Sequence, residues 1–140
     1  MRIISGKHKG KILSAPKKLP VRPTTDMAKE ALFNILENRY FLDNKKVLDL
    51  FSGTGNIAFE FASRGCEDIT TIDQNFHCTK FISKMAEELN CKMDVRKMDC
   101  MDFLEKTKSD FDIIFADPPY NFEHYHNLKD NIFSNNLVRK

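Results

Sequence analysis

Residues 47–56 read Val-Leu-Asp-Leu-Phe-Ser-Gly-Thr-Gly-Asn, and no other stretch restricts the fold as much. A short apolar run of β-formers stops at Ser52-Gly53-Thr54-Gly55, and helical periodicity resumes at Ile57, Ala58, Phe61 and Ala62. The pattern predicts a strand, a tight glycine turn and a helix. Gly53 and Gly55 can adopt positive φ, and without side chains they would let a ligand approach the N–H groups at the helix start.

Two cofactor classes fit such a turn. Gly53, Gly55 and Ala58 satisfy the G-x-G-x-x-A dinucleotide pattern, with Asp73 closing the next apolar run twenty residues after Gly53. A nicotinamide enzyme is therefore one reading. Asp49 favours another: near the end of the first strand, a carboxylate would repel a pyrophosphate and attract the ammonium and sulfonium of S-adenosylmethionine. The plainer account of Asp49 is a solvated, turn-capping carboxylate.

A chain of 140 residues has room for one domain with a real core, and 41% hydrophobic with 30% charged residues is a soluble globular balance. No apolar run approaches a membrane span and the amino terminus lacks a signal-peptide core, so a cytoplasmic protein is expected. Cys66, Cys78, Cys91 and Cys100 have no C-x-x-C spacing and no paired histidines, which favours buried free thiols over zinc; no metal is expected. His8, His77, His124 and His126 read as surface residues. Charge is uneven: residues 1–22 carry Arg2, Lys7, Lys9, Lys11, Lys17, Lys18 and Arg22 without an acid, a balance of +7 in a chain whose total is +2. This basic arm is either a solvated lysine-rich segment or a nucleic-acid contact.

Residues 2–5 and 11–15 read as the strands of a β-hairpin around Gly6-Lys7-His8-Lys9-Gly10. Residues 16–23 are extended and proline-punctuated, and Thr24-Thr25-Asp26 then caps a helix whose stripe is Ala28, Ala31, Leu32, Ile35 and Leu36. Beyond the glycine turn, Gly65 ends the second helix and residues 68–73 form a second strand. A third helix buries Phe81, Ile82, Met85 and Leu89 and stops at Asn90. Residues 93–97 make a third strand, Asp99 and Asp102 lead a short helix carrying Phe103 and Leu104, and residues 111–116 make a fourth strand, apolar on both faces. Alternating strands and helices predict a parallel, doubly wound, Rossmann-like sheet. The division expected is a basic hairpin and arm over residues 1–22 and a cofactor-binding domain over 23–140.

The fourth strand ends in Asp117-Pro118-Pro119-Tyr120. Consecutive prolines fix φ and remove two N–H donors, leaving carbonyls and the Asp117 carboxylate free to grip an amino group. An exocyclic nucleobase nitrogen is a poor nucleophile. Asp117 and the Pro118 carbonyl could hold its two N–H groups, turn its lone pair towards an electrophile and stabilise the developing positive charge, with Tyr120 stacked on the base. The plainer account is a proline-stiffened turn with Tyr120 in a core.

Residues 47–56 together with 117–120 resemble the amino-methylating branch of class I S-adenosylmethionine-dependent methyltransferases. Residues 1–13 (Met-Arg-Ile-Ile-Ser-Gly-Lys-His-Lys-Gly-Lys-Ile-Leu), Arg22-Pro23-Thr24-Thr25-Asp26 and Glu30-Ala31-Leu32-Phe33-Asn34 narrow the resemblance to bacterial guanine-N2 methyltransferases of small-subunit ribosomal RNA. It implies that Asp49, Gly53 and Gly55 hold the methionine part of the cofactor, that Asp73 accepts from the ribose, and that Asp99 and the backbone at Cys100 receive adenine. A helix cap is an equal and compatible reading of Asp99. Arg2, Lys7, Lys9, Lys11 and Arg22 would meet the RNA, and Arg22, Thr24 and Asp26 would lie beside cofactor or RNA. Lys29 stands where the family usually has arginine, which removes a bidentate contact there.

The resemblance implies methylation of a guanine exocyclic amine in small-subunit rRNA. The alternatives are an N6-adenine methyltransferase acting on DNA or RNA, and an RNA-binding or assembly protein of the same fold without turnover. Family members continue with further strands after the fourth, whereas here a helix around residues 123–133 and a tail over 134–140 follow. Since Phe111, Ile113, Ile114 and Phe115 read as an interior strand, the sheet is expected to lack its C-terminal strands. It would then either self-associate across the uncovered fourth strand or be an incomplete, weakly active enzyme.

Overall fold

The computed structural model describes residues 1–19, 24–119, 122, 123 and 125–134. Strand and helix alternate as expected: α1 (Asp26–Arg39), β1 (Lys46–Asp49), α2 (Asn56–Ser63), β2 (Asp68–Asp73), α3 (Phe76–Glu88), β3 (Met93–Lys97), α4 (Cys100–Lys106), β4 (Ile113–Phe115) and α5 (Tyr125–Ser134). The strands make one parallel sheet in the order β3-β2-β1-β4. The order reverses beside β1, which places a switch point, and hence a ligand crevice, at the carboxyl end of that strand.

Period-two alternation sends β1 and β2 side chains to two cores. Val47 and Ile69 pack with Phe33 of α1 and with Ile57, Ala58 and Phe61 of α2. Leu48, Leu50 and Ile72 pack with Phe103 and Leu104 of α4 and with Leu128 and Ile132 of α5. The third helix behaves as its periodicity predicts, with Phe81, Ile82, Met85 and Leu89 buried, and Asn90 beyond its end takes a φ of 54°.

Four expectations need correction. On α1, capped by the Thr25 hydroxyl accepting from the Ala28 N–H, Ala28, Ala31 and Ile35 are exposed and Leu32 and Leu36 only half-buried; Lys29 and Phe33 carry the buried face. Phe33 packs edge-on against Phe61 at 4.7 Å, and this contact rotates the helix. The hairpin of residues 2–5 and 11–15 pairs through a single antiparallel bridge, Arg2 with Ile12, rather than two regular strands. The reason is competition: the Ile4 and Ser5 N–H groups donate to the Glu60 carboxylate of α2 at 2.9 and 3.1 Å. The fourth strand is shorter than residues 111–116, and its three residues are half-buried at the edge of the sheet among the described residues. His8, expected on the surface, is half-buried with its ring 3.7 Å from the Cys91 sulfur.

The hairpin is bolted to α2. Gly6 has φ +89°, and a Cβ there would lie 1.9 Å from the Ser63 carbonyl oxygen, so only glycine lets the turn come this close. Beneath it Lys29, 1% exposed, donates to the Arg2 carbonyl at 2.5 Å and to Asn56 Oδ1 at 2.8 Å, and sits 3.3 Å from Glu60 Oε1. Glu60 Oε2 accepts from Arg64 Nε at 2.8 Å. Burial lowers the Lys29 pKa and the Glu60 charge works against that. No helix among the described residues is long and apolar enough to cross a membrane.

Removing one partner of a buried pair strands the other charge, at about 3–5 kcal/mol. Lys29→Met should therefore cost about that much in urea unfolding, with the Ile4 and Ser5 amides losing hydrogen-exchange protection first. Exchange faster elsewhere than in the hairpin would show that the pair does not hold it.

Candidate functional site

The crevice beside β1 is framed by loops that leave the carboxyl ends of the four strands. Gly53 and Gly55 have φ values of 53° and 82°, so the turn needs both glycines, as expected. Their own N–H groups are used inside the protein, Gly53 donating to Asp73 Oδ2 at 2.9 Å and Gly55 to the Ser52 carbonyl at 2.7 Å. A Cβ on Gly55 would lie 2.8 Å from the Phe59 ring and 3.1 Å from Ile82, so close packing as well as φ demands glycine there.

Asp49, the last residue of β1, is 1% exposed. Its Oδ1 has no hydrogen-bond partner among the described residues, and neither has Oγ1 of Thr71, the residue paired with it on β2. Burial pushes the Asp49 carboxyl up from 3.8 to about 7; the Phe51 N–H opposes this, while the charges of Asp73 and Asp117 add to it. The ends of β1, β2 and β4 thus share one electrostatic field. A buried carboxylate without a counter-charge is costly, and a cation is what would relieve it.

Asp73 bridges two loops. Oδ2 holds the glycine turn and Oδ1 accepts from Asn75 N–H at 2.8 Å, at the start of α3. Each oxygen keeps a lone pair for a further donor. Asp99 acts as the cap of α4, Oδ1 accepting from Met101 and Asp102, while Oδ2 accepts from Gln74 Nε2 at 2.6 Å. Cys100 is buried, and its thiol is pushed up to about 11, which keeps it neutral and unreactive.

Asp117 follows β4 and is exposed, and Pro118 is half-buried. The Phe122 N–H donates to the Pro119 carbonyl at 2.9 Å, and the Phe122 ring meets Phe51 edge-on at 5.2 Å. That ring pair ties the Asp-Pro-Pro loop to the chain entering the glycine turn. Tyr120 and Arg22 lie outside the described residues. Lys7, Lys9 and Lys11 are exposed on the hairpin, whereas Arg2 Nε is 3.5 Å from Asp26 Oδ2.

The carboxyl ends of the four strands therefore gather Asp49, Gly53, Gly55, Asp73, Asp99, Cys100, Asp117 and Pro118, and the basic hairpin packs against α2 and α3. Sequence reasoning missed Thr71, Gln74, Phe51 and the Lys29–Glu60 pair. Only Glu60 had a visible signal, a lone acid within the otherwise apolar run Ile-Ala-Phe-Glu-Phe-Ala.

The Asp49 charge predicts a pH effect. A carboxyl at about 7 in the folded state and 3.8 in an ordinary setting contributes stability that is full below pH 3.8 and lost as pH rises through 7. Asp49→Asn should remove that loss. At pH 8 it should be more stable to urea than the wild type, by on the order of 1–3 kcal/mol, and below pH 3.8 it should have no such advantage. An equal advantage at both pH values would contradict a raised Asp49 pKa.

Comparison with known proteins is consistent with this frame. The chain is 38% identical over 125 residues to the putative rRNA methyltransferase YlbH of Bacillus subtilis, covering 86% of this chain and 67% of that protein. It is 32% identical over 127 residues to ribosomal RNA small subunit methyltransferase D of Haemophilus influenzae, covering 87% and 65%. The structure superposes on the putative methyltransferase yhhF from Escherichia coli with a TM-score of 0.87 and 26% identity, over 100% of this chain and 75% of that one. The chain spans about two thirds or less of the length of the curated relatives it matches. The family model described as Conserved hypothetical protein 95 matches residues 1–140, and the chain belongs to that family.

Proposed function

From that membership we propose that the chain uses S-adenosylmethionine to methylate a guanine exocyclic amine (N2) in bacterial small-subunit ribosomal RNA. The observation that carries the reading is Asp49: a buried carboxyl with an oxygen unpartnered among the described residues, set where the glycine turn and the Asp-Pro-Pro loop converge. When bound, the cofactor supplies an electrophilic methyl on a cationic sulfur. Asp49, Gly53 and Gly55 would receive its positively charged methionine end, Asp73 its ribose hydroxyls, and Asp99 with the backbone at Cys100 its adenine. Gln74 already occupies one side of the Asp99 carboxylate.

Asp117 and the Pro118 carbonyl would each accept one N–H of the substrate amine, and Tyr120 would stack on the base. Residues 1–22, with Arg2, Lys7, Lys9, Lys11 and Arg22, would serve as a basic arm on the RNA, and residues 23–140 would bind the cofactor. The half-buried β4 edge is suited to pairing with a further strand. Self-association across it draws no support from the relatives.

Binding a cation requires Asp49 to be ionised. Affinity for S-adenosylmethionine should fall as pH drops below 7, because a proton must first leave. Isothermal titration across that range checks this, and Asp49→Asn should bind weakly at every pH. Asp117→Asn should keep cofactor affinity and lose about 10²–10³ in single-turnover methyl transfer, the scale for one preorganised polar contact. The deciding assay offers labelled cofactor to small ribosomal subunits that lack the modification and identifies the product nucleoside. N2-methylguanosine is expected; N6-methyladenosine would overturn the base assignment, and no transfer at all would overturn the enzyme reading.

A further inference from the structure

Between the returning arm of the hairpin and the outer face of α3 lies a groove of about 570 Å³. Lys11, Lys18, His77, Lys80 and Lys84 line it, with Glu88 as its sole acid among the described residues. His77, Lys80, Lys84 and Glu88 follow helical spacing along one stripe of α3. Leu19, Phe81 and Met85, each under one tenth exposed, make its floor and anchor the arm to the helix.

Two lysines four residues apart on a helix repel one another unless an anion intervenes. Among the described residues none of Lys11, Lys18, Lys80 and Lys84 takes part in an ion pair, and all four are exposed. Lys11 belongs to both the hairpin and the groove, and its field is felt nearby: burial, then Lys7 and Lys11, lower the His8 pKa. At its other end His77 sits in the first turn of α3, which begins just after Asp73 at the candidate site. The groove thus runs from the hairpin to the start of α3, beside the carboxyl end of β2 where Asp73 lies.

We infer that this groove is a second RNA contact, in which Lys11, Lys18, Lys80 and Lys84 take successive phosphates of the substrate backbone. The inference rests on the RNA reading above and adds to it the residues of α3 and Lys18, which belong to no motif. Lysine is suited to the task because it meets phosphate as a flexible point charge, without demanding a fixed backbone geometry. Phosphate contacts set register and orientation while carrying no base information. The groove would hold the RNA so that one base reaches Asp117, and would act on KM more than on the chemical step.

The test is fluorescence anisotropy of a labelled small-subunit rRNA fragment with the full chain, over a range of salt. It compares the wild type, a groove variant (Lys18→Ala, Lys80→Ala and Lys84→Ala), a hairpin variant (Lys7→Ala and Lys9→Ala) and Glu88→Gln. All these side chains are exposed, and unchanged melting temperature and cofactor affinity will confirm intact folding. The groove variant should bind roughly tenfold or more weakly, with the slope of log affinity against log salt flatter by about 2–3. Glu88→Gln should bind more tightly than the wild type. If wild type and hairpin variant show salt-dependent binding but the groove variant matches the wild type in affinity and slope, the groove is overturned and the RNA reading stands. If the wild type shows no salt-dependent RNA binding, both are overturned.

Discussion

The carboxylate of Glu60 is the point from which most of this structure is held. It is wholly buried in α2, yet it accepts from the Ile4 and Ser5 amides and from Arg64, and it faces the Lys29 ammonium of α1. Lys29 in turn reaches the Arg2 carbonyl and Asn56, and Asn56 Nδ2 donates to the Thr24 carbonyl at 2.9 Å. A single buried cluster therefore joins the hairpin, the start of α1 and the first turn of α2. Such a cluster is expensive to desolvate and tolerable only because each polar atom in it has a partner. Its consequence is positional: Asn56 is the residue after Gly55, so the same bonds that dock the hairpin also fix where the glycine turn ends.

On the other side of that turn the logic is reversed. Around Glu60 every charge is matched, whereas Asp49 is buried with an oxygen unpartnered among the described residues and two further carboxylates in its field. A folded chain keeps such a group at a cost to its own stability. On the proposed reading the cost would be repaid on binding, because a cationic ligand would be stabilised by the same field that destabilises the empty site. The Asp73 and Phe51–Phe122 contacts keep the neighbouring loops in place, so the field is directed by a fixed geometry.

Much of this was legible in the sequence because it rests on local rules. Glycines at a strand-to-helix turn, prolines after the last strand, and period-two and period-3.6 patterns located nearly every element and the residues at the ends of the strands. What remained hidden depends on partners distant in sequence. Lys29 read as a lost arginine contact, since nothing nearby reveals Glu60 opposite it; and Ala28, Ala31 and Ile35 looked like a core stripe until the Phe33–Phe61 contact set the rotation of α1. Regular hairpin strands were expected where Glu60 diverts two amides. Thr71 became visible only through its register with Asp49.

The central claim is that Asp49 is held ready for a cation. Carbon-13 NMR of the aspartate carboxyl groups, assigned through Asp49→Asn, reads this directly. In the free protein Asp49 should titrate near pH 7, and saturating S-adenosylmethionine should move that titration down into or below the ordinary carboxylate range, about 4. A free protein in which Asp49 already titrates near 4, or a titration that the cofactor leaves in place, would contradict the account.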